Sequence, residues 1–532
     1  MLKYRYERGA YMKLALSNDI SKIDKYATDV CGIPMYDLID RSGEAVAAAA
    51  LSLCADGPFT VLAGPGNNGA DGYAAARHLA ARGKRVRIVD ILGRAQCSDG
   101  GKEHLAAAIR EGIEIIKAPD NGELSRLVCE GVIIDAIVGT GVRLPLRDTL
   151  VEVCGIIFES PALKLAVDVP LGIDPDSGEI DAKAPYYDMT VELSLAKVGV
   201  MSYPARAHAG KIVFADIFRG QTDQYEVARS DNYYFDEVEA ARILPKRSPR
   251  SNKGSFGKCS IIAGSEIYRG APILALCAAL RSGVGYTELI SEEKIINQIL
   301  PVYPEAIFKT RKSLGRLSDS DVRAMASSLM KSGAILIGPG CSVSEGHYKL
   351  LRELLMQEGA PIVIDADSIN TLAERGEEGK ALLRRAARQV IITPHPLELS
   401  RLTSIPTEEI EASRLSVASR IAKDLGVILL LKGAATVITD GKVTYINSSG
   451  STALANAGSG DVLAGLIAGL IASSSKGISE VDSARSCVEL TALAAYLHGA
   501  AADALSAEYS EYGVTPSDLP LAISEVIKGI VG

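Results

Sequence analysis

The chain has 532 residues, more than a single hydrophobic core usually spans, so two or three domains are expected. Apolar residues make up 47% and charged residues 23%, a globular balance that excludes large-scale disorder. A net charge of −8, no Trp and only 5% aromatic residues argue against a nucleic-acid or anionic-membrane binder, because neither a basic face nor a base-stacking platform is available.

The nine cysteines are odd in number and never spaced as CxxC. That pattern argues against a disulfide framework or a zinc site and fits a reducing compartment. The opening MLKYRYERGAYMK lacks the apolar core of a signal peptide, and the patterned sequence begins only after Met12, an alternative start. The longest apolar run, residues 462–472, is interrupted by Gly465 and Gly469. It is too short to span a bilayer and predicts a buried helix. A soluble, cytoplasmic protein is expected.

In chain order, residues 17–55 read as helical. Between residues 59 and 217 short apolar runs predict strands at 59–63, 86–92, 132–138, 164–169, 189–193 and 212–217, with helices such as 73–82 and 104–111 between them. Strands that are apolar throughout, rather than alternating, suggest a parallel sheet covered on both faces. Residues 219–255 are polar, carry Pro245 and Pro249 and predict a linker or domain entrance. A second series comes after it at 259–263, 334–337, 361–365, 390–393, 427–431 and 435–438, with helices such as 271–282 and 413–425. The expectation is two doubly wound α/β domains, residues 1–225 and 226–532.

In the first half, FTVLAGPGNNGADG places a Gly-rich turn between a strand and a helix. Backbone N–H groups at such a turn bind phosphate well. Gly64, Gly66 and Gly69 satisfy GxGxxG, and Asp90 falls about where a ribose-binding acid would lie. Glycine turns of this kind also serve close helix packing. Asp135 in IIDAIVGTG and Asp168 in AVDVPLGID end two further strands, each followed by a Gly-bearing loop. The carboxyl ends of parallel strands converge on a ligand crevice.

With Lys197 in LSLAKVG, these blocks resemble the NAD(P)H-hydrate epimerase family over about residues 15–220, and NNGADG is the most specific of them. The resemblance implies a Rossmann-like three-layer sandwich. It also implies that Asn67, Asn68, Gly69, Ala70 and Asp71, together with Gly139, Thr140, Gly141, Val142, Arg143, Leu144 and Pro145, line the phosphates and ribose of the hydrate. Asn68 and Asp135 would hold a potassium ion (K+), and Asp168 would act as acid/base at the reacting ring with Lys197 as its partner. The family commonly reads VDIPSG where this chain has Leu171. At that potassium-ligand position leucine has only its carbonyl to offer.

In the second half, ALANAGSGDVLAGLIAGLI opens an apolar helix with Gly458-Ser459-Gly460-Asp461. Successive backbone N–H groups there form an anion hole, and an Asp in the first turn can take a proton from an attacking hydroxyl. KGSFGKCSIIAG, ILIGPG, IVIDADSIN, ITPHPLELSRL and LLLKGAATVITDG surround it in sequence. His395 stands in a stiff loop between two prolines, and Lys432-Gly433 ends a strand.

These blocks, in this order, resemble the ADP- or ATP-dependent NAD(P)H-hydrate dehydratases over about residues 235–530, which implies a ribokinase-like domain. Ala271, Gly340, His395 and Asp461 would bind the hydrate. Lys432, Gly433, Ala434, Ala435, Thr436 and Gly460 would bind the adenine nucleotide, and Mg2+ would neutralise its phosphates. Departures stand at Leu397, at Ser451 and at Asn456-Ala457, where the family commonly has Gly, Asn and Thr-Gly. An epimerase and an S-specific dehydratase on one chain would make both forms of hydrated NADH and NADPH (NADHX and NADPHX) repairable, and a homo-oligomer is implied. The alternatives are a small-molecule kinase of the vitamin or sugar type with an N-terminal nucleotide-binding module, and a dehydrogenase that would leave the second domain unexplained.

Overall fold

The computed structural model describes residues 12–92, 98–117, 119–220, 223–475 and 486–531. The chain divides into two units, one running to Asn232 and the other starting at Tyr233. Seven strands of the first unit make up its parallel sheet: β1 (Phe59–Ala63), β2 (Val86–Asp90), β3 (Glu114–Lys117), β4 (Val132–Ala136), β5 (Leu163–Val167), β6 (Met189–Leu193) and β7 (Lys211–Ala215). They form one sheet in the order β3-β2-β1-β4-β5-β6-β7, with every neighbouring pair parallel. Parallel neighbours need crossover connections, so helices cover the faces, and β1, β4 and β6 are buried throughout.

The chain builds outward from β1 to β3, then returns to lay β4 on the other side of β1. Register pairs Ala63 with Ala136, which sets the loops after β1 and β4 side by side at the switch point. Residues of three helices border it: α1 (Ser17–Asp29), α2 (Met35–Leu53) and α3 (Asn67–Ala81). A Cβ on Gly43 of α2 would lie 2.4 Å from the Ala74 Cβ of α3, so the two helices pack almost backbone to backbone. Small residues there, Ala47, Ala50, Ala74 and Ala75, are buried in the core.

The second unit carries β8 (Asn232–Phe235), β9 (Lys258–Ile262), β10 (Tyr286–Ser291), β11 (Ile307–Thr310), β12 (Ala334–Ile337), β13 (Ile362–Ile364), β14 (Val390–Ile392), β15 (Ile428–Leu431), β16 (Val437–Thr439) and β17 (Thr444–Asn447). Their order is β8-β17-β16-β15-β14-β13-β12-β9-β10-β11. Pairing is parallel from β11 to β15 and antiparallel from β15 to β17. The switch point falls between β9 and β12, where Ile262 pairs with Ile337. Helices α4 (Ala271–Arg281), α5 (Pro396–Thr403) and α6 (Ser459–Ser474) border it.

The run 462–472 lies within α6 and is buried. Its two glycines are required by contact: a Cβ on Gly465 would lie 2.1 Å from the Ala275 carbonyl, and one on Gly469 2.2 Å from Ser282 Oγ. Both units are therefore doubly wound α/β, as expected. Residues 219–255 are not simply a linker, because they contain β8 and a helix at Glu237–Ile243. Phe235 of β8 is fully buried and meets the Tyr445 ring edge-on at 5.7 Å, an apolar anchor hidden in a polar stretch. The eight described cysteines are all free, and Cys97 lies outside the described residues. Among the described residues no helix is long and apolar enough to cross a membrane.

Candidate active sites

At the first switch point, two of the three motif glycines are dictated by packing. A Cβ on Gly64 would sit 1.8 Å from the Ile137 carbonyl, and one on Gly69 would sit 2.0 Å from the Gly64 carbonyl. Gly66 differs, because nothing lies within 4 Å of its would-be Cβ. It faces a cleft of ≈ 340 Å³ lined by Asn67, Asn68, Asp71, Gly139, Thr140, Gly141 and Asp168, with Asp24, Leu193 and Ser194. The first N–H groups of α3 have no intrahelical acceptor and open at this cleft, which suits a phosphate.

The expected residues do not all reach it. Ala70 is buried in the core, and Gly69 is packed against the β1 end. Val142, Arg143, Leu144 and Pro145 line a neighbouring hollow of ≈ 410 Å³ that shares Gly66, Ile137, Gly139 and Gly141 with the cleft. Arg143 is tied to its own loop, donating to the carbonyls of Thr140 at 3.1 Å and Val142 at 2.6 Å. Asp90 is buried and is not among the cleft-lining residues.

The charge in the cleft is gathered around one lysine. Lys197 is fully buried. Its Nζ donates to Asp168 Oδ1 and, at 2.8 Å, to the Leu193 carbonyl, and lies 3.2 Å from Glu192 Oε2. Asp168 also accepts from the Leu193 N–H at 3.2 Å. It holds a left-handed backbone, φ 68°, of the kind that concentrates at functional sites. Burial works against the lysine charge, but Asp168 and Glu192 outweigh it and hold Lys197 above the ordinary lysine pKa. Burial pushes Glu192 up to about 8, against the pull of Lys197 and with the push of Asp168. Burial, reinforced by Asp168, raises Asp24 to about 6 and drives Asp71 well above the carboxylate range. Carboxyls with separated pKa values around one pocket are what acid–base chemistry requires.

Asp24 and Glu192 carry no motif, so reading along the chain passes over them, and Ser194 stands unremarked within LSLAKVG. Asp135, by contrast, ends β4 as expected but faces inward. It is buried and accepts from the Ile137 and Leu171 N–H groups at 3.1 and 3.0 Å and from the Tyr187 hydroxyl. Asn68 donates to the carbonyls of Val138 and, at 3.0 Å, Val167.

At the second switch point, Gly340 and Ala271 come together: a Cβ on Gly340 would lie 3.1 Å from the Ala271 Cβ. Gly458, at φ 106°, turns the chain into α6, and Asp461 lies in its first turn. Lys432 reaches the same place, its Nζ 3.3 Å from a Cβ built on Gly460. That amine lies 3.1 Å from Asp365 Oδ1 and 3.6 Å from Glu398 Oε2. Burial, with Asp365 close by, raises Asp461 to about 7, while Lys432 pulls it down and Asp367 and Glu398 push it further up.

His395 has a structural task here. It is the N-cap of α5, its Nδ1 accepting from the Glu398 N–H at 3.3 Å while its own N–H donates to Glu398 Oε2 at 2.9 Å. This capping box holds Glu398 toward Lys432, and Leu397 stands half-exposed beside it. The 433–436 loop is fastened from below. The buried Arg414 donates to the Leu431 and Lys432 carbonyls, both at 3.1 Å, and Thr436 Oγ1 donates to the Gly433 carbonyl at 2.9 Å. Gly433 and Ala434 remain exposed.

Residues 35–199 match the family described as YjeF-related protein N-terminus, and residues 259–525 match the family described as NAD(P)H-hydrate dehydratase. The chain is 30% identical over 527 residues to the bifunctional NAD(P)H-hydrate repair enzyme Nnr of Thermofilum pendens, covering 98% of this chain and 97% of that one. It is 32% identical over 520 residues to the Nnr of Pyrobaculum aerophilum, covering 96% and 98%. Among solved structures, the ADP/ATP-dependent NAD(P)H-hydrate dehydratase of Bacillus subtilis, co-crystallised with ATP/Mg2+, is 30% identical, covers 56% of this chain and 98% of that one, and has a TM-score of 0.48. With both halves matched in order and the full-length relatives covered nearly end to end, the chain belongs to the family of bifunctional NAD(P)H-hydrate repair enzymes.

Proposed function

We propose that the first unit interconverts the R and S hydrates of NADH and NADPH, and that the second dehydrates the S form at the expense of ADP or ATP. The observation that carries this reading is the presence, on one chain, of an acid–base cleft and a separate anion hole, each at its own switch point. In the first, the ring hydroxyl of the hydrate leaves as water, taking a proton from a carboxyl while the ring nitrogen's lone pair forms a C=N bond. Water then returns to the other face and gives up a proton. Asp168 acts at the ring and Lys197 keeps its charge in place. Asn67, Asn68 and Asp71, with the loop Gly139 to Gly141, hold the ribose and phosphates.

In the second unit Asp461 takes the proton of the ring hydroxyl. The freed oxygen attacks the terminal phosphorus of the nucleotide, and the bond to the departing AMP or ADP breaks. The C–O bond then breaks, phosphate leaves with the electron pair, and loss of a neighbouring proton restores the dihydropyridine. Ala271, Gly340 and His395 seat the hydrate. Lys432 to Thr436 and Gly460 seat the nucleotide, with the α6 N-terminus facing the transferring phosphoryl.

The carboxylates of Asp365, Asp367 and Glu398 are hard oxygen donors that suit Mg2+. When bound, Mg2+ supplies neutralisation of the phosphate charge. The enzyme is expected to work in the cytoplasm as a homo-oligomer, which light scattering on the full chain checks.

The test uses a mixture of both hydrate epimers, Mg2+ and either nucleotide, followed at the dihydropyridine absorbance. Recovery beyond the S fraction, faster than spontaneous epimerisation, is expected. A stable phosphorylated product, without dihydropyridine or free phosphate, would make the second unit a small-molecule kinase instead.

A further inference from the structure

The potassium site implied by the resemblance does not fit the residues present. Both oxygens of the buried Asp135 are already served. Oδ1 accepts from the Ile137 N–H at 3.1 Å, and Oδ2 accepts from the Leu171 N–H at 3.0 Å and from the Tyr187 hydroxyl. Tyr187 is buried beside that carboxylate, and burial together with the Asp135 charge holds it well above the phenol range, so its hydroxyl stays a donor.

The carbonyls of Val138 and Val167, the other oxygens a cation would seek, both accept from Asn68 Nδ2. The Leu171 side chain is fully buried in an apolar cluster with Cys154, Ile157 and Val169. Among the side chains named for the site, what remains is one buried oxygen without a partner, Asn68 Oδ1, and one side-chain oxygen is a poor cation site. An ion here would have to displace a hydroxyl and an amide that already satisfy buried acceptors, and groups so stranded cost free energy.

We infer that this cleft works without a bound alkali cation, the Tyr187 hydroxyl, the Ile137 and Leu171 N–H groups and the Asn68 amide standing where the ion would act. Only the activity arm of the test rests on the epimerase reading.

The full chain is moved into choline chloride and titrated with KCl, NaCl or RbCl at constant ionic strength, with two readouts. One is the unfolding temperature, which a bound ion raises by mass action. The other is R-to-S conversion without nucleotide, measured by chromatography. The expected result is no K+-specific rise in unfolding temperature and a conversion rate within about twofold of that in choline, the margin set by general salt effects. A saturable K+-specific rise, or a rate that falls about tenfold or more in choline, would overturn the inference. If no conversion occurs in any salt, the epimerase reading fails while the unfolding readout still decides the cation question.

A double variant, Leu171→Ser with Tyr187→Phe, removes the competing hydroxyl and adds an oxygen. It is expected to gain a K+-specific stabilisation, and indifference would overturn the assignment of these two residues as what excludes the ion. Should it fail to fold, the wild-type titration stands alone.

Discussion

Lys197→Met removes the buried cation that backs Asp168 at the first cleft. In the wild type its ammonium touches Asp168, Glu192 and the Leu193 carbonyl with no exposure to solvent. Deleting one partner of such a buried pair typically costs about 3–5 kcal/mol, because the remaining charge is stranded. Glu192 has a way out, since it already sits at about 8 while Lys197 pulls it down, so without Lys197 it holds its proton to higher pH. A carboxyl whose folded pKa is raised contributes stability below its unfolded pKa and loses it as pH rises through the folded value. The penalty of the variant is therefore expected near the low end of that range at pH 6 and near the high end at pH 9.

The catalytic signature is sharper. Asp168 loses the ammonium from which its Oδ1 accepts, so R-to-S conversion at pH 7 should fall about 100-fold. The assay is chromatographic separation of the two hydrates without nucleotide, from pH 6 to 9.5, with urea unfolding in parallel. A variant that keeps the wild-type rate would refute the claim that Lys197 holds Asp168 for its task at the ring.

Asp461→Asn should lower dehydration by about 100-fold or more and leave R-to-S conversion unchanged. In the wild type, dehydration should rise with pH through about 7, where Asp461 loses its proton; a flat profile over pH 5.5–8.5 counts against its role as base. Gly64→Ala must push the Ile137 carbonyl aside, since the added carbon would overlap it at 1.8 Å. A loss above about 3 kcal/mol, of the size reserved for core overpacking, is expected in urea unfolding of the first unit. His395→Ala should cost about 1 kcal/mol through the lost cap of α5 and raise the KM for hydrate. His395→Asn restores a capping side chain, so rescue of stability but not of KM would separate the cap from the ligand contact.

The central strands were legible because parallel strands covered on both faces must be apolar throughout. Where the chemistry departs from that rule, the reading failed. The strand β3, EIIK, is a short edge strand with charged ends and exposed flanks. β10 carries Glu288 in its middle, buried at 2% exposure. It is tolerated because Lys309 and Lys258 reach it at 2.9 and 3.2 Å, and those partners come from β11 and β9. A strand whose polar residue is neutralised from its neighbours cannot be recognised from its own letters.

The Gly-rich turn of the first unit offered two readings, close packing or phosphate binding, and the geometry divides them by residue. Gly64 and Gly69 are there because backbone presses on them, whereas a Cβ on Gly66 would meet only open space. Chain-local signals of this kind are visible in sequence. The acid–base cluster is not, because Asp24 sits on α1 and Asp168 at the end of β5, and only the fold brings them to one cleft. Tyr187 is the clearest instance. Leu171 alone says that an oxygen is missing, which leaves a backbone carbonyl free to serve a cation. A tyrosine sixteen residues on, reaching back to Asp135, turns that missing oxygen into a replaced one: the buried carboxylate needs positive partners, and a hydroxyl and two N–H groups supply them without an ion.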